Sequence, residues 1–271
     1  MMKERWIALL VFFATLSFGS TRPSAQEWAR RRLETSPRHQ EWVTITYGQR
    51  TVHAFVVYPE AKTKTPAVIV IHENRGLTDW VRSVADQLAE AGVIAIAPDL
   101  LSGMAPNGGR TSDFPSEDAA REAISKLPPE QVMADLDAIA DYAARLPASN
   151  GKVAVAGFCW GGSQAFRFAT HRQNLAAAFV FYGTGPRDSE SLARIRCPVY
   201  GFYGGNDARV TATVPETADV MKRLGKTFEP ITYDGAGHGF MRTGEEPNPT
   251  DANRKAREQA WARWKELLKK L

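Results

Sequence analysis

Residues 153–166, VAVAGFCWGGSQAF, restrict the fold more than any other segment of this sequence. Four apolar residues in a row predict a strand, and the residues after the glycines predict a helix. Cys159 lies between the two, with Gly157 before it and Gly161 after it. Glycine on both sides lets strand and helix approach closely and permits strained backbone angles. The segment therefore predicts a sharp turn that holds a cysteine side chain out of the sheet.

Strands and helices alternate along the rest of the chain. Two alternating runs, EWVTITY and RTVHAFVVY, are joined by Gly48 and Gln49 and predict a β-hairpin. The other predicted strands are AVIVIH, VIAIAP, KVAVAG, AAAFVFYG, PVYGFYGG and FEPITYDG. Helices are predicted at residues 79–91, 130–146 and 160–172 and over the run ETADVMKRLG. A further helix is predicted after Ser116, which serves as its N-cap, and a closing helix begins at about residue 251. This pattern predicts an α/β fold with a mostly parallel central sheet and helices on both faces, in one domain over residues 41–271.

The first residues have the layout of a secretory signal peptide. A basic start, MMKER, precedes an apolar run of 13 residues, WIALLVFFATLSF, and then small and polar residues. The run is shorter than the roughly 20 residues that a membrane span needs. We predict a signal peptide at residues 1–25, an N-terminal extension at 26–40 and export to the periplasm or the medium. An uncleaved anchor is the alternative, and cleavage after Gly19 or after Ala25 both fit.

Charge and cysteine content narrow the function. The formal net charge of +4 falls to about +2 without residues 1–25, which is too small to indicate a nucleic-acid partner.

Of the two cysteines, Cys197 precedes Pro198 and an apolar run, so we predict that Cys197 is a buried core residue. A disulfide between Cys197 and Cys159 is the alternative in an oxidising compartment. The closing helix, with Trp261 and Trp264 on one stripe, is predicted to pack on the sheet rather than on a membrane surface.

Reactive side chains follow four of the predicted strands. They are His72, Glu73 and Asn74 in the run HENRG, Cys159 at the turn, Asp207 in GGND and His238 in GAGHG. The carboxyl ends of parallel strands meet at one edge of a sheet, so these loops should lie together. A nucleophile on a glycine-flanked turn, followed by an acid and then a histidine, is the chain order typical of α/β-hydrolases. The pattern predicts Cys159 as nucleophile, His238 as its base and Asp207 as the group that orients His238.

The same run does not match the pattern of a metal centre. A zinc-binding helix needs a second histidine four residues after the first, and in HENRG the fifth residue is Gly76. We therefore expect neither a metal nor another cofactor.

The chain resembles the dienelactone hydrolase family, the carboxymethylenebutenolidase relatives, over roughly residues 40–271. The motifs that carry the resemblance are HENRGL, APDLLS, GFCWGG, FYGTG, GGND and GAGHGF, in that order. The resemblance implies an α/β-hydrolase fold and the catalytic triad Cys159, Asp207 and His238. It also implies that Glu73 helps to control the protonation of the thiol. It further implies a substrate carboxylate held by Arg242 and Arg121, in a pocket to which Tyr182 contributes.

Two features differ from the family pattern. Asn74 and Arg75 stand where the family has an apolar pair, and the leader is unlike the cytosolic members. The expected activity is therefore the hydrolysis of an ester or lactone in a small molecule. We expect the enzyme to be a monomer and the backbone amides of Trp160 and Asn74 to be the oxyanion donors. A thioesterase, a small peptidase and a non-catalytic binding protein on the same fold remain alternatives.

Overall fold

The computed structural model describes residues 26–271, so the predicted signal peptide lies outside the described residues. Eight strands form one sheet in this part of the chain. They are β1 (Gln40–Tyr47), β2 (Arg50–Val57), β3 (Thr65–Ile71), β4 (Ile94–Asp99), β5 (Ser149–Phe158), β6 (Ala178–Phe181), β7 (Val199–Gly204) and β8 (Phe228–Tyr233). The spatial order is β1-β2-β4-β3-β5-β6-β7-β8. The β1–β2 hairpin and the β2–β4 pair are antiparallel, and all other neighbours are parallel.

Helices connect the strands and cover both faces of the sheet. The longer ones are α1 (Glu27–Thr35), α2 (Asp79–Glu90), α3 (Glu117–Ser125), α4 (Pro129–Arg145), α5 (Trp160–His171), α8 (Val214–Arg223) and α10 (Asp251–Leu268). Three short ones are α6 (Ser189–Ala193), α7 (Ala208–Thr211) and α9 (Phe240–Thr243). Within residues 26–271, no helix combines the length and the apolar character that crossing a membrane requires.

Alternate residues of the buried strands feed two apolar cores, one on each face of the sheet. In β3, Ile69 and Ile71 join the core that α4 and α5 cover, and Val68 and Val70 join the core that α2 and α10 cover. This alternation is why the parallel strands read as continuous apolar runs. Trp264 of α10 is fully buried, which confirms that the closing helix packs on the sheet. The predicted fold class is confirmed as well.

The register of the sheet aligns the strand ends from which the site is built. Ile71 of β3 pairs with Gly157 of β5, and Phe158 of β5 pairs with Phe181 of β6. Gly204, the last residue of β7, pairs with Tyr233, the last residue of β8. The loops after these strands therefore emerge at one edge, as expected for a site in an open α/β sheet.

The structure adds elements that the sequence patterns did not predict. Helix α1 lies in the predicted N-terminal extension and buries Ala29 and Leu33 in the same core as α2. Its other residues are mostly polar, so its apolar periodicity is too weak to identify it. The sequence patterns also did not predict the short helices α6, α7 and α9. Cys197 is buried as predicted, and both it and Cys159 are free thiols, so the alternative of a disulfide is not realised.

Candidate active site

Cys159 occupies a strained turn between β5 and α5. Its φ is 55° and its ψ is −116°, a conformation that residues with a side chain rarely adopt. Two backbone hydrogen bonds hold it there: its N–H donates to the Phe181 carbonyl at 3.0 Å, and its carbonyl accepts from the Ser163 N–H at 3.2 Å. The neighbouring strand and the first turn of α5 thus impose the geometry. The cysteine side chain is left only partly buried.

Two glycines make this turn sterically feasible. A Cβ at Gly157 would overlap the carbonyl oxygen of Gly161, and a Cβ at Gly161 would overlap the carbonyl oxygen of His72. Strand β5, helix α5 and the loop after β3 therefore touch through main-chain atoms. The close approach brings the Asn74 loop beside the amino end of α5.

Asp207 and His238 form a tight pair beside the turn. Asp207 follows β7, is buried, and donates its backbone N–H to the Gly204 carbonyl at 3.0 Å. His238 lies between β8 and α9, and its Nδ1 is 2.5 Å from Oδ2 of Asp207. The carboxylate therefore fixes the ring and keeps a proton on Nδ1. The other ring nitrogen is left for Cys159.

The charges around His238 favour its protonated form. Its contact with the Cys159 side chain and the Asp207 carboxylate raises the pKa of His238 to about 9, although burial acts in the opposite direction. The ring of Tyr182 packs edge-on against the imidazole, with centroids 5.1 Å apart. A protonated imidazole at this position can stabilise negative charge that develops next to it.

Glu73 and Arg242 form an ion pair close to the triad. Glu73 is buried, and its Oε2 accepts a hydrogen bond from Nε of Arg242 at 3.0 Å. Arg242, on α9, also donates from Nη1 to Oε1 of Glu246 at 2.7 Å. The second partner, Glu246, was not singled out from the sequence; it lies four residues after Arg242, beyond the end of α9.

Tyr182 lies against both groups. It is buried, has a φ of 42°, and stacks edge-on with Phe240 at 5.4 Å as well as with His238. Burial, followed by the negative charge of Glu73, raises the pKa of the Tyr182 phenol well above its usual range. Its hydroxyl has no hydrogen-bond partner among the described residues. A neutral hydroxyl donor is thus available at this end of the site.

The backbone amides predicted as oxyanion donors are both unoccupied. No acceptor contacts the N–H of Trp160 or of Asn74 within the described part of the chain. Trp160 is the first residue of α5, where the helix dipole adds positive character to its amide. Asn74 lies in a turn with its side chain exposed. Two free donors on segments that touch each other fit a site for a developing negative charge.

The structure places Arg121 away from these contacts. It lies on α3, and its guanidinium bonds Asp118 at 2.7 Å and lies 3.8 Å from Glu117 of the same helix. Arg75 also forms an ion pair with Glu117, with 3.2 Å between Nη1 of Arg75 and Oε2 of Glu117. Arg121 therefore belongs to a surface ion cluster next to the Asn74 loop, whereas Arg242 directly contacts Glu73.

The sequence places His72 among the reactive side chains after β3 but assigns it no role. It is fully buried, its Nδ1 lies 2.8 Å from the carbonyl oxygen of Glu73, and its ring stacks on Trp160 with centroids 5.5 Å apart. Its position directly before Glu73 is the one signal in the sequence that points to it.

A cleft of about 960 Å³ flanks the turn on the side of α4 and α5. Ser163 and Thr184 line it, and the Thr184 N–H donates to Oγ of Ser163 at 2.9 Å. Cys159, Asp207 and His238 are not among its lining residues. The cleft thus borders the candidate site without containing these three residues.

The fold defines an α/β-hydrolase, and Cys159 lies on the turn between strand and helix that is typical of this class. The profile of the dienelactone hydrolase family matches residues 52–271. The chain belongs to the dienelactone hydrolase family, and it is a hydrolase of the carboxylic ester and lactone class.

Individual relatives agree with this assignment. A Yersinia pestis protein, provisionally named carboxymethylenebutenolidase, is 32% identical over 220 residues, which cover 77% of this chain and 81% of that protein. The carboxymethylenebutenolidase of Pseudomonas putida is 31% identical over 205 residues, covering 73% of this chain and 84% of that protein. A crystal structure from Klebsiella pneumoniae, provisionally described as a dienelactone hydrolase, superposes with a TM-score of 0.75 at 26% identity, covering 86% of this chain and 99% of that one.

Proposed function

We propose that this enzyme cleaves an ester or lactone through a thioacyl intermediate on Cys159. The observation that carries the proposal is the strained turn that presents Cys159 to a histidine held 2.5 Å from Asp207. A nucleophile, a base and an orienting acid in this arrangement are the components of acyl transfer.

The steps follow from the positions of the groups. The Cys159 sulfur attacks the acyl carbon, and the carbonyl electrons move to the oxygen, which the amides of Trp160 and Asn74 stabilise. Each such donor typically contributes about 3 kcal/mol. The carbon–oxygen bond to the leaving group then breaks, and His238 donates its proton to the departing alkoxide. Neutral His238 next takes a proton from water, which attacks the thioester, releases the carboxylic acid and restores the thiol–imidazole pair.

Trapping the acyl group tests this proposal directly. With an activated aryl ester, we expect a burst of aryl alcohol equal to the enzyme concentration, followed by slower turnover. Mass spectrometry of the quenched enzyme should find the acyl group on the peptide that carries Cys159. Release without a burst and without an acylated peptide would favour direct attack by water, and no release at all would favour a binding protein.

We further propose that the substrate carries a carboxylate, which Arg242 binds. The guanidinium is mostly buried and its Nε is already bonded to the carboxylate of Glu73. An anionic substrate can replace Glu73 as the partner of Arg242, whereas a neutral ester must leave that ion pair in place. The released Glu73 is then a second proton acceptor for the thiol beside His238. Binding and activation would be coupled in this way.

The preference for a carboxylate is measured with a carboxylated lactone and its methyl ester. We expect wild type to favour the acid by about 10- to 100-fold in kcat/KM, as for one charged hydrogen-bonded contact. Arg242→Ala should remove this preference. Arg121→Ala should reduce it less, because Arg121 is paired on its own helix.

Arg254→Ala is the matched control, since Arg254 pairs with Asp251 on the exposed side of α10. It should leave both rates unchanged. Indifference of the wild type to the carboxylate, or equal losses for both substrates in Arg242→Ala, would make Arg242 a structural residue.

Export is proposed on the basic start and the 13-residue apolar run alone. Mass spectrometry of the protein recovered outside the cytoplasm tests it, with a new N-terminus expected between about residues 20 and 26. An intact Met1 on membrane-associated protein would indicate an anchor instead.

A further inference from the structure

We propose that His72 is a positioning residue that holds both oxyanion donors, the amides of Asn74 and Trp160, in place. The proposal rests on the proposed function, in which those amides stabilise the developing negative charge. His72 takes no part in the proton transfers described for Cys159 and His238. It is nevertheless completely buried at the point where the β3 loop meets α5.

The first argument is the geometry of one peptide unit. The Glu73 carbonyl and the Asn74 N–H belong to the same peptide group, and in a trans peptide they point in opposite directions. Nδ1 of His72 lies 2.8 Å from that carbonyl oxygen, and the Gly76 N–H donates to it at 3.3 Å. Fixing the oxygen on one side fixes the direction of the Asn74 N–H on the other. That N–H is the one that lacks an acceptor within the described residues.

The second argument is the contact with the other donor residue. The His72 ring lies nearly parallel to the Trp160 indole, with 14° between the planes. The His72 carbonyl oxygen packs against Gly161 so closely that a Cβ there would overlap it. A single residue therefore contacts the peptide unit of one donor and the side chain of the other, which restrains both segments together.

The protonation state of His72 fits this role. A carbonyl oxygen only accepts, so Nδ1 must carry the proton that bonds Glu73. Burial lowers the pKa of His72, with the charge of Asp99 acting in the opposite direction. Nε2 is buried without a partner among the described residues.

Three substitutions separate the hydrogen bond from the stacking. His72→Asn places an amide nitrogen near the position of Nδ1, His72→Gln places it near Nε2, and His72→Phe keeps an aromatic ring without a donor. The measurements are kcat and KM for an unactivated ester and the rate at which iodoacetamide alkylates Cys159. Alkylation requires the thiol but forms no oxyanion, so it reports on the nucleophile alone.

We expect His72→Gln and His72→Phe to lower kcat by about 10- to 100-fold with little change in KM, in keeping with the partial loss of an oxyanion donor. His72→Asn should stay within about fivefold of wild type. Alkylation should be unchanged in all three. His171→Asn is the matched control, because His171 lies on the exposed side of α5 and pairs with Asp137.

Two results would overturn the proposal. If His72→Asn loses as much kcat as His72→Phe while alkylation is intact, the bond to Glu73 has no catalytic role. If kcat and alkylation fall together in folded variants, as thermal unfolding would verify, His72 only supports the turn at Cys159. Failure of the proposed function is distinguishable, since the wild-type enzyme would then show no acyl group on Cys159.

Discussion

Replacing Cys159 by alanine is expected to lower kcat/KM for an ester by about 10⁴-fold or more, because it removes the atom that attacks the acyl carbon. Thermal unfolding should be close to wild type, since the side chain is only partly buried and alanine meets the same backbone strain as cysteine. Steady-state kinetics alongside a melting curve provide the measurement. Cys159→Ser should also be poor, because a hydroxyl has a far higher pKa than a thiol and the site is built around sulfur.

The other cysteine supplies the matched control. Cys197→Ala changes a thiol that is buried in the apolar core before β7, where burial raises the pKa of Cys197 to about 11. This variant should keep its activity and lose only a little stability. Retention of more than about one per cent of wild-type activity in Cys159→Ala would show that another group performs the chemistry.

The Asp207→Asn substitution is expected to reduce kcat by about 10²- to 10⁴-fold and to change the pH dependence as well. The pKa of His238 is raised to about 9 by Cys159 and Asp207, so the proton needed by the leaving group is present at neutral pH and lost as the pH rises through about 9. With an alkyl ester, kcat/KM should therefore fall above that pH in the wild type. Without the Asp207 charge, the pKa of His238 is lower, and the falling limb should move to lower pH.

An aryl ester whose leaving group needs no proton is the control substrate. Its acylation should lack the falling limb near pH 9, because His238 is not required as an acid. Two results would contradict the assignment of His238 as the proton donor. One is a fall in the Asp207→Asn rate at the same pH as in the wild type, and the other is an alkyl-ester rate that keeps rising with pH.

Much of the fold was predictable because the strands are buried on both faces. Runs such as AVIVIH can bury all of their apolar side chains only in a sheet that is covered on both faces. The helices between these strands each have one apolar face. Helix α1 was not predictable in the same way. Only Ala29 and Leu33 are buried, and their burial depends on a partner, α2, that is distant in sequence.

The site shows the same division between local and non-local information. The glycines around Cys159 and the order of Asp207 and His238 are local signals, and the structure brings these three side chains together. The role of Arg121 depends on its neighbours, and Asp118 and Glu117, three and four residues before it, already indicated a paired surface charge. The place of His72 depends on how one peptide group is oriented, which no sequence spacing encodes.

The positive φ of Cys159 also bears on how selection acts at this position. Glycine would occupy the same backbone angles with less strain, so position 159 favours glycine whenever stability alone matters. Under the proposed function, the need for a reactive sulfur is what retains a side chain there. In descendants of this chain that lose their substrate, genetic drift should reach this residue early, because a change to glycine there would relieve strain rather than disturb packing. Under the proposed function, cysteine at position 159 is therefore expected only in chains that are still selected for reactivity.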